Sequence, residues 1–242
     1  MNDAPLSAVR PISRHDFIWV NKHSQSDVAD RIADSDLGGI VRNWLGAARP
    51  LIVRQQTERR SATANRLSAG LSLPPRQGKQ RIALTIRSRE INRIAHPPVL
   101  AATVPCLPAR WRVPVSKLCR VGEELGIDLR VFGAVAWQAL TTLPYLTSTS
   151  DLDLLWRPAD RIQLERGVTL LQRWELANGL RADGEIIFGD DLAVSWREWV
   201  RRDQQKCVLV KQTIGPSLRR PSELLELLGS EPLRAPNNAS RP

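Results

Sequence analysis

Asp151 and Asp153 stand two residues apart inside an otherwise apolar run, Ser150-Asp151-Leu152-Asp153-Leu154-Leu155-Trp156. On an extended strand side chains alternate between faces. The two carboxylates then share one face, and Leu152, Leu154 and Trp156 take the other. Such a strand buries one side and offers a pair of hard oxygen donors on the opposite side, which suits Mg²⁺ or Mn²⁺ shared with substrate phosphates. The plainer alternative is a polar surface strand. A second acidic pair, Asp183 and Glu185, lies in Ala182-Asp183-Gly184-Glu185-Ile186. Either could be a third carboxylate. Asp183 is the better candidate because Gly184 beside it permits close approach; the alternative is an ordinary Asp-Gly hairpin turn.

The elements that must position these acids are legible upstream. Val131-Phe132-Gly133-Ala134-Val135-Ala136-Trp137-Gln138-Ala139-Leu140 reads as a strand end, a glycine turn and an apolar helix. A glycine and a helix N-terminus let backbone N–H groups approach a phosphate. Strand, glycine turn, helix, loop and then the aspartate pair resembles the core of the polymerase-β-like nucleotidyltransferases. There a glycine-serine pair holds the triphosphate, paired aspartates hold metal and a third acid follows on a later strand. This chain has Ala134 where that pattern has serine, so the backbone amides remain and the hydroxyl does not; Ser148 and Ser150 are the nearby substitutes.

The resemblance narrows to one family, the phosphoribosyl-dephospho-CoA transferases of malonate decarboxylase, also called holo-acyl-carrier-protein synthases. It rests on Trp137-Gln138-Ala139-Leu140-Thr141, Leu143-Pro144-Tyr145-Leu146-Thr147, Ser150-Asp151-Leu152-Asp153-Leu154-Leu155, Asp183-Gly184-Glu185, Val194-Ser195-Trp196-Arg197-Glu198 and Val208-Leu209-Val210-Lys211. Leu73-Pro74-Pro75 and Gly78-Lys79-Gln80-Arg81-Ile82-Ala83-Leu84 are similar to the family as well. The resemblance implies transfer of 2′-(5″-triphosphoribosyl)-3′-dephospho-CoA to a serine of the apo acyl-carrier subunit, with release of diphosphate. It implies Asp151, Asp153 and Asp183 as catalytic metal ligands for Mg²⁺ or Mn²⁺. Gly133, Ala134, Ser150, Lys211, Lys79 and Arg81 are the expected donor-binding positions. The competing readings are another metal-dependent nucleotidyltransferase acting on a small molecule or protein, and an inactive basic binding protein of the same fold.

Charge is distributed unevenly. Between Arg49 and Arg93 eleven Lys or Arg face only Glu58 and Glu90, a net +9 of the chain's +10. That segment contains no Phe, Tyr or Trp, so it lacks the stacking platforms of most nucleic-acid modules. A polyanionic donor or an acidic carrier protein suits it better; a solvated basic face is the plain alternative. The 242 residues, 42% hydrophobic with eight Trp, exclude wholesale disorder. No run reaches the roughly 20 apolar residues of a membrane span. The N-terminus has no secretory pattern, and a cytoplasmic protein is expected. Cys106, Cys119 and Cys207 lack metal-ligand spacing and read as reduced thiols. His15, His23 and His96 lie far in sequence from the acids.

These features predict an α+β chain. Residues 1–95 form a smaller basic N-terminal domain, 96–112 a proline-rich linker, and 113–229 the catalytic domain, a nucleotidyltransferase-like mixed sheet with flanking helices. Residues 230–242 are expected to be a disordered tail. Helices are expected over Asp27–Leu45 (interrupted at Gly38-Gly39), Val115–Leu125 and Ala159–Leu176, with a last one capped by Ser222. Strands are expected over Leu51–Val53, Arg81–Ile86, Ile127–Phe132 and Cys207–Lys211. Trp196 and Trp199 read as core.

Overall fold

Alternating burial in the N-terminal half builds an antiparallel sheet. In the computed structural model, which describes residues 12–56, 65–204 and 206–229, the strands are β1 (Phe17–Val20), β2 (Leu51–Val53), β3 (Arg66–Ser72), β4 (Arg81–Arg87) and β5 (Ile91–Ala95). Their order is β4-β3-β2-β1-β5. In β4, Ile82, Leu84 and Ile86 point inward and their neighbours outward, the period-2 pattern of a half-buried strand. Helices α1 (Gln25–Asp30) and α2 (Ser35–Gly46) join β1 to β2. The helical break falls at residues 31–34 and not at Gly38-Gly39, which lie inside α2. Asp34 restarts the helix, its Oδ1 accepting the N–H groups of Asp36 and Leu37 at 2.9 and 3.0 Å, which satisfies otherwise orphaned donors.

The C-terminal half begins with α3 (Leu100–Thr103) and α4 (Ala109–Glu124), so part of the proline-rich stretch is helical. α4 starts six residues before Val115 and passes through Pro114, whose carbonyl accepts the Trp174 indole N–H at 2.9 Å. There follow β6 (Arg130–Val131), α5 (Gly133–Thr141), β7 (Leu152–Trp156), α6 (Arg161–Asn178) and β8 (Ala182–Phe188). The chain continues through β9 (Leu192–Ser195), α7 (Trp196–Val200), β10 (Val208–Lys211), β11 (Pro216–Arg219) and α8 (Pro221–Glu226). The last helix starts with Pro221 at its first position rather than with a Ser222 cap, where a missing N–H is harmless. The sheet order is β11-β10-β9-β8-β7-β6; β7 and β8 are parallel and the other pairs antiparallel. The molecule is thus mixed α+β with two sheets. The expected tail from 230 onward lies outside the described residues.

The two sheets meet around Trp137 of α5. Phe17 of β1 and Trp44 of α2 pack on it edge-on, with ring centroids 5.4 and 5.7 Å away, and Tyr145 stacks on it at 6.0 Å. The Tyr145 hydroxyl donates to the Ser72 carbonyl at 2.5 Å, joining the end of β3 to the loop before β7. Gln138 fixes that loop. Its Oε1 accepts the N–H groups of Tyr145 and Leu146 at 3.0 and 3.1 Å, and its Nε2 donates to the Cys106 carbonyl at 2.5 Å. Trp196 and Trp199 are buried, as expected of core residues. Among the described residues no helix is long and apolar enough to cross a membrane.

Candidate active site

The parallel register of β7 and β8 sets Asp153 directly opposite Asp183 and Leu154 opposite Gly184. Gly184 has φ +149, and a Cβ there would overlap the Leu154 backbone. No L side chain fits, so glycine is what lets β8 lie against β7 at this point. Leu152, Leu154 and Trp156 are buried on the opposite face, as the alternation requires. Ala182, next to Asp183, is clamped on three sides. Glu175 Oε1 accepts its N–H at 2.7 Å, while its carbonyl takes the Trp196 indole at 3.2 Å and Arg197 at 2.8 Å. The Trp196-Arg197 pair therefore holds the strand that carries the acid.

Gly133 opens α5 with φ +59, and a Cβ on it would overlap the Asp153 carboxylate. The Ala134 amide hydrogen-bonds that carboxylate. The glycine turn and helix N-terminus are thus placed against Asp153 itself. Burial pushes the Asp153 carboxyl up to about 6, and repulsion from Asp183 and Asp151 adds to the rise. Asp151 lies one residue before β7 and faces Arg181, Nε to Oδ2 3.4 Å. Asp183 accepts the Gly184 N–H at 2.8 Å. With the side chains so turned, no three His, Cys, Asp or Glu groups among the described residues enclose a metal-sized space. The donor set nonetheless suits a hard cation. It is all carboxylate oxygen, and its members repel one another in a way that a divalent charge would relieve.

Glu185, the other candidate for third acid, has different partners. Buried on the same face as Asp183, it pairs with Arg14, with Lys211 (Nζ to Oε1 3.0 Å) and with His15 (Nε2 to Oε2 3.2 Å). Burial alone would raise its pKa, but the His15 hydrogen bond and the Arg14 and Lys211 cations hold it far below the usual carboxylate range. Burial lowers His15 below its ordinary value, Arg14 adds to that, and Glu185 opposes it. The His15 ring packs on Phe132, centroids 4.3 Å apart, immediately before Gly133. Arg14 and His15 were not candidates on sequence grounds. They lie 171 and 170 residues from Glu185, and no local pattern signals the encounter.

The remaining candidates sit further out. Ser150 Oγ accepts the Thr147 N–H at 2.9 Å and closes the turn before Asp151. Lys211 is half-exposed at the end of β10. Lys79 and Arg81 are exposed at the β3–β4 connection and form no ion pair among the described residues. Arg81 is paired with Ser72, whose carbonyl receives Tyr145, so this hairpin end does face the loop leading to Asp151. Cys119 is pushed up to about 11 by burial, and all three cysteines are free.

Comparison with known proteins places this architecture. Residues 13–97 match the family model described as phosphoribosyl-dephospho-CoA transferase MdcG N-terminal domain, and residues 99–222 match its C-terminal domain counterpart. A Xanthomonas euvesicatoria protein named phosphoribosyl-dephospho-CoA transferase is 39% identical over 198 residues, covering 82% of this chain and 89% of its own length. One of the same name from Bradyrhizobium diazoefficiens is 32% identical over 189 residues, covering 78% and 82%. No solved structure matches significantly. The chain is a transferase, and it belongs to the phosphoribosyl-dephospho-CoA transferase family.

Proposed function

We propose that this chain is a metal-dependent nucleotidyltransferase. In this reading it moves the phosphoribosyl-dephospho-CoA group from 2′-(5″-triphosphoribosyl)-3′-dephospho-CoA to a serine of the apo acyl-carrier subunit of malonate decarboxylase. The observation that carries the reading is the register of β7 on β8, which sets Asp153 beside Asp183 with Asp151 adjacent and the Gly133 turn pressed on the Asp153 carboxylate. Asp151, Asp153 and Asp183 would hold Mg²⁺ or Mn²⁺, which when bound neutralises triphosphate charge and stabilises the departing diphosphate. Lys211 and Arg14, paired with Glu185, add positive potential that draws donor phosphates toward the site. The serine oxygen attacks the α-phosphorus, a phosphodiester forms and diphosphate leaves. The basic surface of the N-terminal half, including Lys79 and Arg81, attracts the polyanionic donor and the acidic carrier.

The test is a mass measurement on the carrier. Apo-carrier, triphosphoribosyl-dephospho-CoA and Mg²⁺ are incubated with the protein, and in parallel with ATP or CTP as donor. A gain equal to the phosphoribosyl-dephospho-CoA group, abolished by carrier Ser→Ala, is the expected result. A gain only with ATP or CTP would assign a different nucleotidyltransferase. No gain with any donor would favour a binding protein that kept the fold.

A further inference from the structure

We propose that His15 is the general base that takes the proton of the acceptor hydroxyl, and that Glu185 is its positioning partner; this rests on the transfer reading above. Four observations point the same way. His15 has φ +74, a left-handed conformation that histidine adopts more readily than most non-glycine residues and that also occurs at functional sites. Its backbone is anchored there by an N–H bond to the Val53 carbonyl at 3.0 Å. Its Nε2 lies 3.2 Å from Glu185 Oε2. An ionised carboxylate only accepts, so Nε2 carries the proton and Nδ1 carries the lone pair.

Nδ1 makes no hydrogen bond among the described residues, and the side chain keeps 13% of its surface exposed. The ring lies on Phe132, the neighbour of the glycine that touches Asp153. Glu185 lies two residues beyond Asp183 on the same strand face. The His15–Glu185 pair therefore borders the aspartate cluster, joining the segment before β1 to β8. The charged groups acting on it are Arg14 from its own segment, Glu185 from β8 and Lys211 from β10. Arg14 and Lys211 grip the same carboxylate and keep it aimed at the ring.

In the step, the serine O–H proton passes to Nδ1 as the serine oxygen bonds to the α-phosphorus. The bond from that phosphorus to the bridging oxygen breaks, and its electron pair leaves with diphosphate. The imidazolium then returns its proton to solvent. The order is that of an acid–histidine pair acting on a hydroxyl, assembled here from the two sheets.

Two measurements test this. The first uses the unaltered protein labelled with ¹⁵N-histidine, which has only His15, His23 and His96. At neutral pH, His15 should show a protonated Nε2 and a bare Nδ1. A proton on Nδ1 overturns the assignment whatever the variants do. The second uses His15→Asn, which tolerates a left-handed backbone, and His15→Gln, whose amide can still reach Glu185. Both should lower kcat about 10²-fold or more and leave KM for donor and carrier within about threefold. Near-normal kcat, or a fall matched by a comparable rise in KM, would reduce His15 to a structural contact while the transfer reading stands. If the unaltered protein adds no mass to the carrier, that reading fails and this one falls with it.

Discussion

Asp153 offers the sharpest test, because the same charge that would serve catalysis strains the fold without metal. Its carboxyl is raised from 3.8 to about 6 by burial and by Asp183 and Asp151. A raised carboxyl pKa means that the folded state binds the proton more tightly than the unfolded chain. Stability therefore falls as pH rises from about 4 through 6, and the penalty is complete above that window. At about 1.4 kcal/mol per tenfold change in proton affinity, the penalty is about 3 kcal/mol at pH 8 and about 1 kcal/mol near pH 4.5. Asp153→Asn removes the charge and keeps an oxygen for the Ala134 amide. In EDTA at pH 8 the variant should be more stable than the parent by up to about 3 kcal/mol in urea denaturation, with the gap narrowing as pH falls to 4.5. Mg²⁺ should reverse the order, because a cation bound only by the folded parent adds stability by mass action. A variant less stable than the parent in EDTA at pH 8, or a gap that does not change with pH, would refute the crowded-carboxylate account.

The other expectations are more direct. Asp151→Asn, Asp153→Asn and Asp183→Asn should each lower carrier modification at least about 10²-fold in mass-spectrometric turnover assays, the scale of several kcal/mol from metal charge stabilisation; near-normal turnover in a folded variant would remove that residue from the metal site. Glu185→Gln should lower kcat through the lost orientation of His15 and also destabilise the fold, by about 2–3 kcal/mol in thermal or urea unfolding, because it leaves Arg14 and the half-exposed Lys211 without their buried counter-charge. Gly184→Ala should lose about 3 kcal/mol or more, since its Cβ meets the Leu154 backbone at a left-handed φ; normal stability by the same methods would contradict the observed strand contact. Charge reversal at Lys79, Arg81 and Arg87 should raise KM for donor or carrier with less effect on kcat, and carrier affinity should weaken with salt because exposed charges are screened within roughly 8–10 Å; indifference of both KM values and of salt would leave the segment a solvated face.

The legible part of the site was the part written in local pattern. Asp151-Leu152-Asp153 and its buried opposite face follow from period-2 alternation, and the Gly133 turn before an apolar helix follows from glycine chemistry. Asp183 beside Gly184 also carried its own signal, a carboxylate next to a residue without a Cβ. Helix limits were less legible where one side chain decides them: Asp34 restarts α2 and Pro221 opens α8, while composition pointed to Gly38-Gly39 and Ser222. The Trp196-Arg197-Glu198 run looked like core and motif. Only the structure shows it clamping Ala182 and, through Glu198 Oε1, the Leu209 N–H at 2.5 Å.

What the sequence by itself determined is therefore the chemistry available and the local geometry offering it: hard carboxylate donors at strand spacing, a glycine turn at a helix start, and a basic N-terminal half. Tertiary structure alone decided which partners each carboxylate meets. Asp183 and Glu185 have the same parity on one strand, and alternation does not separate them. The parallel register puts Asp183 against Asp153, whereas Arg14, His15 and Lys211 converge on Glu185 from β1's approach and from β10. Such an assignment depends on contacts across 170 residues, and electrostatic environment is a property of those distances. Alternation and propensity act over a few residues, so they place a carboxylate on a face and leave its partners to the packing of the two sheets.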